Sequence, residues 1–268
     1  MTLARIVFAS SVIWAGYAMA QNAPAAAPGT NAVPDLSGYF NHNPNDTFGL
    51  PESGPGPVIN LFKGRGRGMW HGDHTNPMLQ PWAAEAVRKQ AELERAETPN
   101  YTSQQTCMPS GVPNIHQLPD TLQLLQTANH VAIVYARDHQ VRIVHLNAKH
   151  PENPTPSWYG DSIGHYEGDT LVVDTIGQND KTWADRMGTP HTDKIHVVER
   201  YRVINNGRTL RAEFTVTDPG AFTMPWSAYM DYARAPRASL DEQSCAENPR
   251  DAGFVYPIPR DERYAPRP

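Results

Sequence analysis

The chain has 268 residues, a formal net charge of −5 and 25 prolines. That length suits one domain with arms, and the acidic balance argues against a nucleic-acid partner, which calls for a basic face. No nucleotide-binding signature is present, so the sequence implies no organic cofactor.

In chain order, the first feature is an export signal. Arg5 precedes an apolar run from Ile6 to Ala15, broken only by Ser10 and Ser11, and Ala18-Met19-Ala20 gives the small-x-small cleavage pattern. The run is too short to span a bilayer, and no cysteine follows the cleavage site. The expectation is cleavage near Ala20, with Gln21 as the new N-terminus, a periplasmic or secreted location and no membrane span. Residues 21–80 read as a Pro/Gly-rich leader and loop segment. Within it, Gly64-Arg-Gly-Arg-Gly68 lacks the flanking strand and the Gly-Lys-Ser/Thr ending of a phosphate cradle, so it reads as a loop.

Residues 81–248 read as a single β-rich domain with a leading helix, and 249–268 as an irregular tail. The helix is Pro81 to Glu97, built of strong helix formers, with proline in its first turn and Pro99 beyond its end. Glu85 and Lys89 form an i,i+4 pair on its solvated face. From Thr121 the pattern changes to short β-like runs: Leu122–Thr127, Val131–Ala136, Val141–Leu146, Ser162–Tyr166, Thr170–Ile176, His196–Val203, Thr209–Thr217 and Trp226–Tyr232. Tyr166-Glu-Gly-Asp169 and Asn206-Gly207 are tight hairpin signals, and Asp138-His139-Gln140 is a third connection. Antiparallel strands joined by hairpins must close or pack to hide their edges. The pattern predicts a mainly β fold, a lipocalin-like barrel or strongly curved meander, with a β-sandwich as the alternative.

Two cysteines, Cys107 and Cys245, stand near the two ends of the core. In an exported protein such an isolated pair is most simply one disulfide.

Three stretches resemble a large group of exported bacterial proteins of unassigned function. They are Thr155 to Trp183, containing Trp158-Tyr-Gly-Asp-Ser-Ile-Gly164 and Glu167-Gly-Asp-Thr-Leu-Val-Val-Asp174; Cys107 to Pro113; and Pro190 to Arg200. The resemblance spans roughly residues 81 to 251 and implies an exported β-rich domain. It supplies no catalytic residues.

Chemistry therefore has to be read from the residues. Side chains alternate across a strand, so Val197, Glu199, Tyr201 and Val203 share a face, opposite Leu210, Ala212, Phe214 and Val216. Val141, Ile143 and His145 share another, as do Val131, Ile133 and Tyr135. If these faces line a barrel, the lumen holds Glu199, His145, Tyr201 and Tyr135. A carboxyl there would have its pKa raised by desolvation, which suits acid–base work; alternatively Glu199 pairs with an arginine on a neighbouring strand. A second cluster sits in loops: Trp158, Asp161, His165, Asp180, Trp183, Asp185, His191 and His196. Asp161 with His165, or Asp180 with His191, could make a carboxylate-oriented base, and Trp158 and Trp183 could shape a pocket. The same residue types also serve as loop plugs and turn caps. His191 with His196, and His71 with His74, are weak metal candidates, matching no zinc spacing. Ser162 has no nucleophile elbow around it, and His150 reads as a structural loop residue.

The combined expectation is a periplasmic enzyme performing cofactor-independent acid–base chemistry, as a lyase, dehydratase or isomerase, possibly hydrolytic. Its substrate would be a small apolar or aromatic compound, with Glu199 and one of His165, His191 or His145 as the reacting groups. The alternative is a non-catalytic carrier for the same kind of guest; a third, a structural envelope protein, is expected if the lumen is filled by side chains.

Overall fold

The computed structural model describes residues 33–43, 46–64, 70–96, 107–137 and 140–240. The Asp138–His139 connection, Cys245, the N-terminal export signal and the C-terminal tail lie outside the described residues.

Nine strands form one closed barrel in sequence order: β1 (Gly38–Asn41), β2 (Leu122–Gln126), β3 (His130–Tyr135), β4 (Val141–Leu146), β5 (Asp161–Glu167), β6 (Thr170–Ile176), β7 (His196–Ile204), β8 (Thr209–Thr217) and β9 (Trp226–Arg234). Eight of them are those legible in the sequence. The ninth, β1, lies in the segment expected to be leader and loop, and it closes the ring between β9 and β2. Its four residues are too short for a pattern, yet Phe40 is completely buried. Leu36, Phe48, Val58 and Met78 from the same segment also join the core. The compact unit therefore begins at Val33, well before residue 81.

Strand number explains the one departure from a simple meander. Around a closed ring the number of antiparallel steps must be even, so nine strands need at least one parallel pair. That pair is β4 with β5, in the register Val144↔Ser162. Parallel neighbours need a long crossover, and residues 147–160 supply it. At this seam the β5 backbone runs close to β4. A Cβ on Gly164 would lie 2.7 Å from Val144 Cγ1 and 3.0 Å from the Val172 carbonyl, so only glycine fits.

The predicted β5–β6 turn is tight, with Glu167 paired to Thr170 and Gly168 at φ 62. The Asn206-Gly207 turn is also present, with positive φ at Asn205, Asn206 and Gly207.

Helix α1 (Pro81–Arg95) starts on its proline and buries Ala83, Val87, Gln90 and Ala91, spaced as one helical face. Glu85 does approach Lys89, at 3.8 Å, but Arg88 takes the same carboxylate at 2.7 Å. Among the described residues, no helix is long and apolar enough to cross a membrane.

Alternation sends Val197, Glu199 and Tyr201 inward with Leu210, Ala212, Phe214 and Val216, as expected. Tyr135 is inside as well. On β4 the expectation is reversed. Val141 and Ile143 are 47% and 41% exposed and His145 is exposed, while Arg142 and Val144 point inward. Reading apolar residues inward fails here because the lumen side carries an arginine whose charge is met by another strand.

Candidate functional site

Residues 110–118 form a buried segment that includes a one-turn 3₁₀ helix (Asn114–Gln117) and plugs the lumen against inward-facing side chains. Buried backbone needs partners, and Gln178, just after β6, provides them. Its side-chain oxygen accepts from the Val112 N–H at 2.7 Å, and its amide donates to the Val112 carbonyl at 2.9 Å. At the far end of the plug the Gln117 side-chain oxygen accepts from the Arg186 N–H at 2.8 Å, and His42 Nε2 lies 2.6 Å from the Leu118 carbonyl.

The plug carries His116 into the lumen, against Glu199. His116 Nε2 is 2.8 Å from Glu199 Oε1, and Nδ1 is 2.7 Å from Tyr232 Oη. The ring stacks on Phe214, with centroids 5.5 Å apart at 13°. Tyr201 donates to the same Glu199 oxygen at 2.7 Å. Arg142 donates from Nη1 to Glu199 Oε1 at 2.8 Å, and from Nη2 to Oε2 and to Thr175 Oγ1. Its Nε donates to Ser162 Oγ at 3.1 Å, and Ser162 and Thr175 are 3.0 Å apart. Glu199 and His116 are 0% exposed, so no gap wide enough for a water molecule lies against them.

Electrostatics follows from this geometry. Burial alone would raise the Glu199 pKa, but the Arg142 charge and the hydrogen bonds from His116 and Arg142 overcome it and hold the carboxyl well below the usual range. Glu199 is therefore ionised. This corrects the expectation of a desolvated, raised carboxyl; the arginine alternative is the one realised, although Arg142 sits on β4 rather than on a strand next to β7. An ionised carboxylate only accepts, so Nε2 of His116 carries a hydrogen and Nδ1 is turned to the Tyr232 hydroxyl. Burial raises the pKa of Tyr201 and Tyr232 well above the ordinary tyrosine value, keeping both as neutral donors.

Tyr135 faces the same cluster. Burial raises its pKa while the Arg142 charge opposes the rise. Its hydroxyl is buried against the Arg142 guanidinium, whose hydrogen bond also works against the rise. Tyr159, from the crossover, lies parallel to it, with centroids 6.5 Å apart at 9°.

The remaining expected site residues lie outside this cluster. His145 is on the outer wall beside His130. His165 is exposed and contacts Glu167, not Asp161. Asp161 instead meets His150 at 2.6 Å; the other nitrogen of His150 is 3.1 Å from Asp174, which also meets His196 at 2.8 Å. His150 thus fastens the crossover to β5 and β6. His191 is buried in the β6–β7 loop between Thr182 Oγ1 and the Thr192 carbonyl, and burial lowers its pKa. Asp180 is exposed, whereas Trp158 and Trp183 are half-buried in loops at the plug end; the Lys181 ammonium lies 6.0 Å from the Trp158 ring. Asp185 caps its own loop, accepting from Thr189 Oγ1 and the Met187 N–H; burial pushes its carboxyl up to about 6 against those bonds. His191 and His196 have separate partners, and no group of three or more metal-ligating side chains among the described residues is arranged to hold a metal ion.

Sequence reasoning thus found Glu199, Tyr201 and Tyr135 but missed His116, Arg142 and Tyr232. A signal for Arg142 did exist: it is the one charged residue in Val141–Leu146, on the face opposite two outward apolar residues. His116 had none, because a single plug turn has no periodicity. No protein-family model matches the chain, and no curated protein matches it.

Proposed function

We propose that the chain is a small-molecule enzyme that performs acid–base chemistry, of the lyase, dehydratase or isomerase kind, on an apolar or aromatic compound admitted to the barrel. The observation that carries this reading is the Glu199–His116–Tyr232 chain, with contacts of 2.8 and 2.7 Å. Carboxylate, imidazole and hydroxyl stand in the order in which a carboxylate orients a base toward a proton it can exchange. In this reading Glu199 positions, His116 moves the proton and Tyr232 passes it to or from the guest; a hydrolytic variant would use the same base on water. Stability alone accounts poorly for the cluster, since a buried ion pair is seldom better than packed apolar side chains.

The carrier reading uses the same lumen. The tight packing around Glu199 favours neither of these but a structural role without a guest, because any guest must displace part of the plug before it meets the cluster. Incubating the full chain with a panel of small aromatic compounds separates the two. The enzyme reading expects conversion that His116→Asn and Tyr232→Phe abolish while the fold survives. Conversion that persists in both variants, or guests retained unchanged in native mass spectrometry, sinks it.

Export belongs to the same proposal, supported by Arg5, the apolar run and Ala18-Met19-Ala20. So does a disulfide between Cys107 and Cys245. The intact mass of the mature protein, with and without reductant and alkylation, tests both.

A further inference from the structure

One loop grips the plug at both ends. Residues 177–195 join β6 to β7, and within them Gln178 pairs with Val112. Arg186 donates its backbone N–H to the Gln117 side chain at 2.8 Å and its Nη1 to the Gln117 carbonyl at 3.1 Å. Between these points Thr182 lies against Gly111, where the plug turns at φ 71. A Cβ on Gly111 would sit 2.6 Å from Thr182 Oγ1 and 3.0 Å from Gln178 Oε1. Displacing Thr182 therefore loosens the plug at its turn.

Thr182 is in turn set by His191, which is 3% exposed. Nδ1 of the ring lies 2.9 Å from the Thr192 carbonyl, which only accepts, so Nδ1 carries the hydrogen. Nε2 then accepts from the Thr182 hydroxyl at 2.7 Å. A neutral imidazole satisfies both contacts. A second proton would turn Nε2 into a donor, reverse the Thr182 hydroxyl and bury a charge, which is costly. The charged groups that act on the ring are Asp218, just after β8, and Asp180 in the same loop. Asp218 is spent on the Thr192 N–H at 2.5 Å, the Thr192 hydroxyl at 2.7 Å and the Gly220 N–H at 3.0 Å, and Asp180 is exposed. Burial outweighs their attraction and lowers the pKa of His191.

We propose that His191 is a proton-operated release for the plug: its protonation in mild acid frees Thr182 and Gly111, and residues 110–118 lift away from the Glu199–His116 cluster. The release needs no guest and operates whether or not His116 moves protons. The closed loop disfavours the charged ring, so its hold is complete above the ordinary histidine value of about 6.5 and is lost as pH falls below it. One proton changes the opening equilibrium by at most about ten-fold per pH unit. Asp185 in the same loop works with the opposite sign, because burial raises its carboxyl to about 6 and its grip tightens as pH falls.

The test therefore uses the full-length Asp185→Asn protein. Hydrogen exchange is followed from about pH 7.5 to about pH 5, the range in which a histidine changes charge, with each rate divided by that of unstructured peptide at the same pH. Protection across residues 111–118 is expected to fall about ten-fold while β7 and β8 keep theirs. His42 and His116 also touch the plug, so a second change decides whose proton acts. Adding His191→Asn, which can still donate to the Thr192 carbonyl, should make the response flat. The ring signals of His191, followed by NMR in the Asp185→Asn protein, should titrate over the interval of release, a readout that needs no change at His191. Protection that is flat over this range, that falls as steeply with His191→Asn, or that falls together with β7 and β8 overturns the proposal. So does a His191 ring that titrates outside that interval.

Discussion

Glu199 on β7 and Arg142 on β4 meet through both carboxylate oxygens, although β5 and β6 separate their strands. Ser162 on β5 and Thr175 on β6 fill the gap as hydroxyl stepping stones, so four consecutive strands are tied together inside the lumen. This tie crosses the parallel seam at which the barrel departs from a meander.

Breaking one side of the pair leaves a buried charge without its partner. Arg142→Met is expected to destabilise the fold by about 3–5 kcal/mol. The double change Arg142→Met with Glu199→Leu should recover most of that loss. Urea unfolding of the three proteins checks this; a single variant within 1 kcal/mol of wild type (about the value of an exposed pair) would show that the pair is not sealed.

Two buried carboxyls give opposite pH limbs. Asp185 is raised from 3.8 to about 6. Its favourable contribution is complete below pH about 4 and is lost as pH rises to about 6, a difference of about 3 kcal/mol. Asp185→Asn should flatten stability across that window. Glu199 is depressed from 4.5, so its contribution is present above that value and is lost as pH falls below it. Thermal midpoints from pH 3 to 7 read both limbs. A profile unchanged in Asp185→Asn would refute the assignment of the upper limb.

Gln178 acts as a strand partner for Val112 and so latches the plug. Gln178→Leu leaves the Val112 N–H and carbonyl buried without partners, at about 1–3 kcal/mol each. Hydrogen exchange should accelerate across residues 111–118 before it does in β7 and β8. Uniform acceleration over the whole barrel would instead mean that the plug does not open separately.

Gly164→Ala tests the parallel seam. A new methyl would sit 2.7 Å from Val144 Cγ1. Overpacking at such a point costs about 1–3 kcal/mol, and calorimetry should find a lower thermal midpoint. An unchanged midpoint would mean that β4 and β5 can move apart freely.

Much of the barrel was legible because its strands obey alternation. β8 and β9 alternate over nearly their whole length and β7 as far as Tyr201, and their inward faces are apolar enough to read. β4 misled because Val141 and Ile143 are on the outer wall, so the rule returned the wrong face and hid Arg142. β1 was invisible for want of length, and its one buried aromatic, Phe40, stands among Gly, Asn and His. The site was half legible for a related reason. Glu199 and Tyr201 are on a strand and share its register, whereas His116 reaches them from a non-periodic plug that long-range packing places. The loop histidines looked chemical through proximity in sequence, yet the fold sends His165 outward and seals His191 among threonines.

We propose that His116, oriented by Glu199, moves protons to and from a guest in the lumen. The most direct measurement is proton NMR of acetophenone incubated with the full chain in deuterium oxide, following the methyl group beside the carbonyl. Loss of that signal faster than in buffer, abolished by His116→Asn, is the predicted result. Exchange no faster than in buffer, or equally fast in the His116 variant, would contradict it.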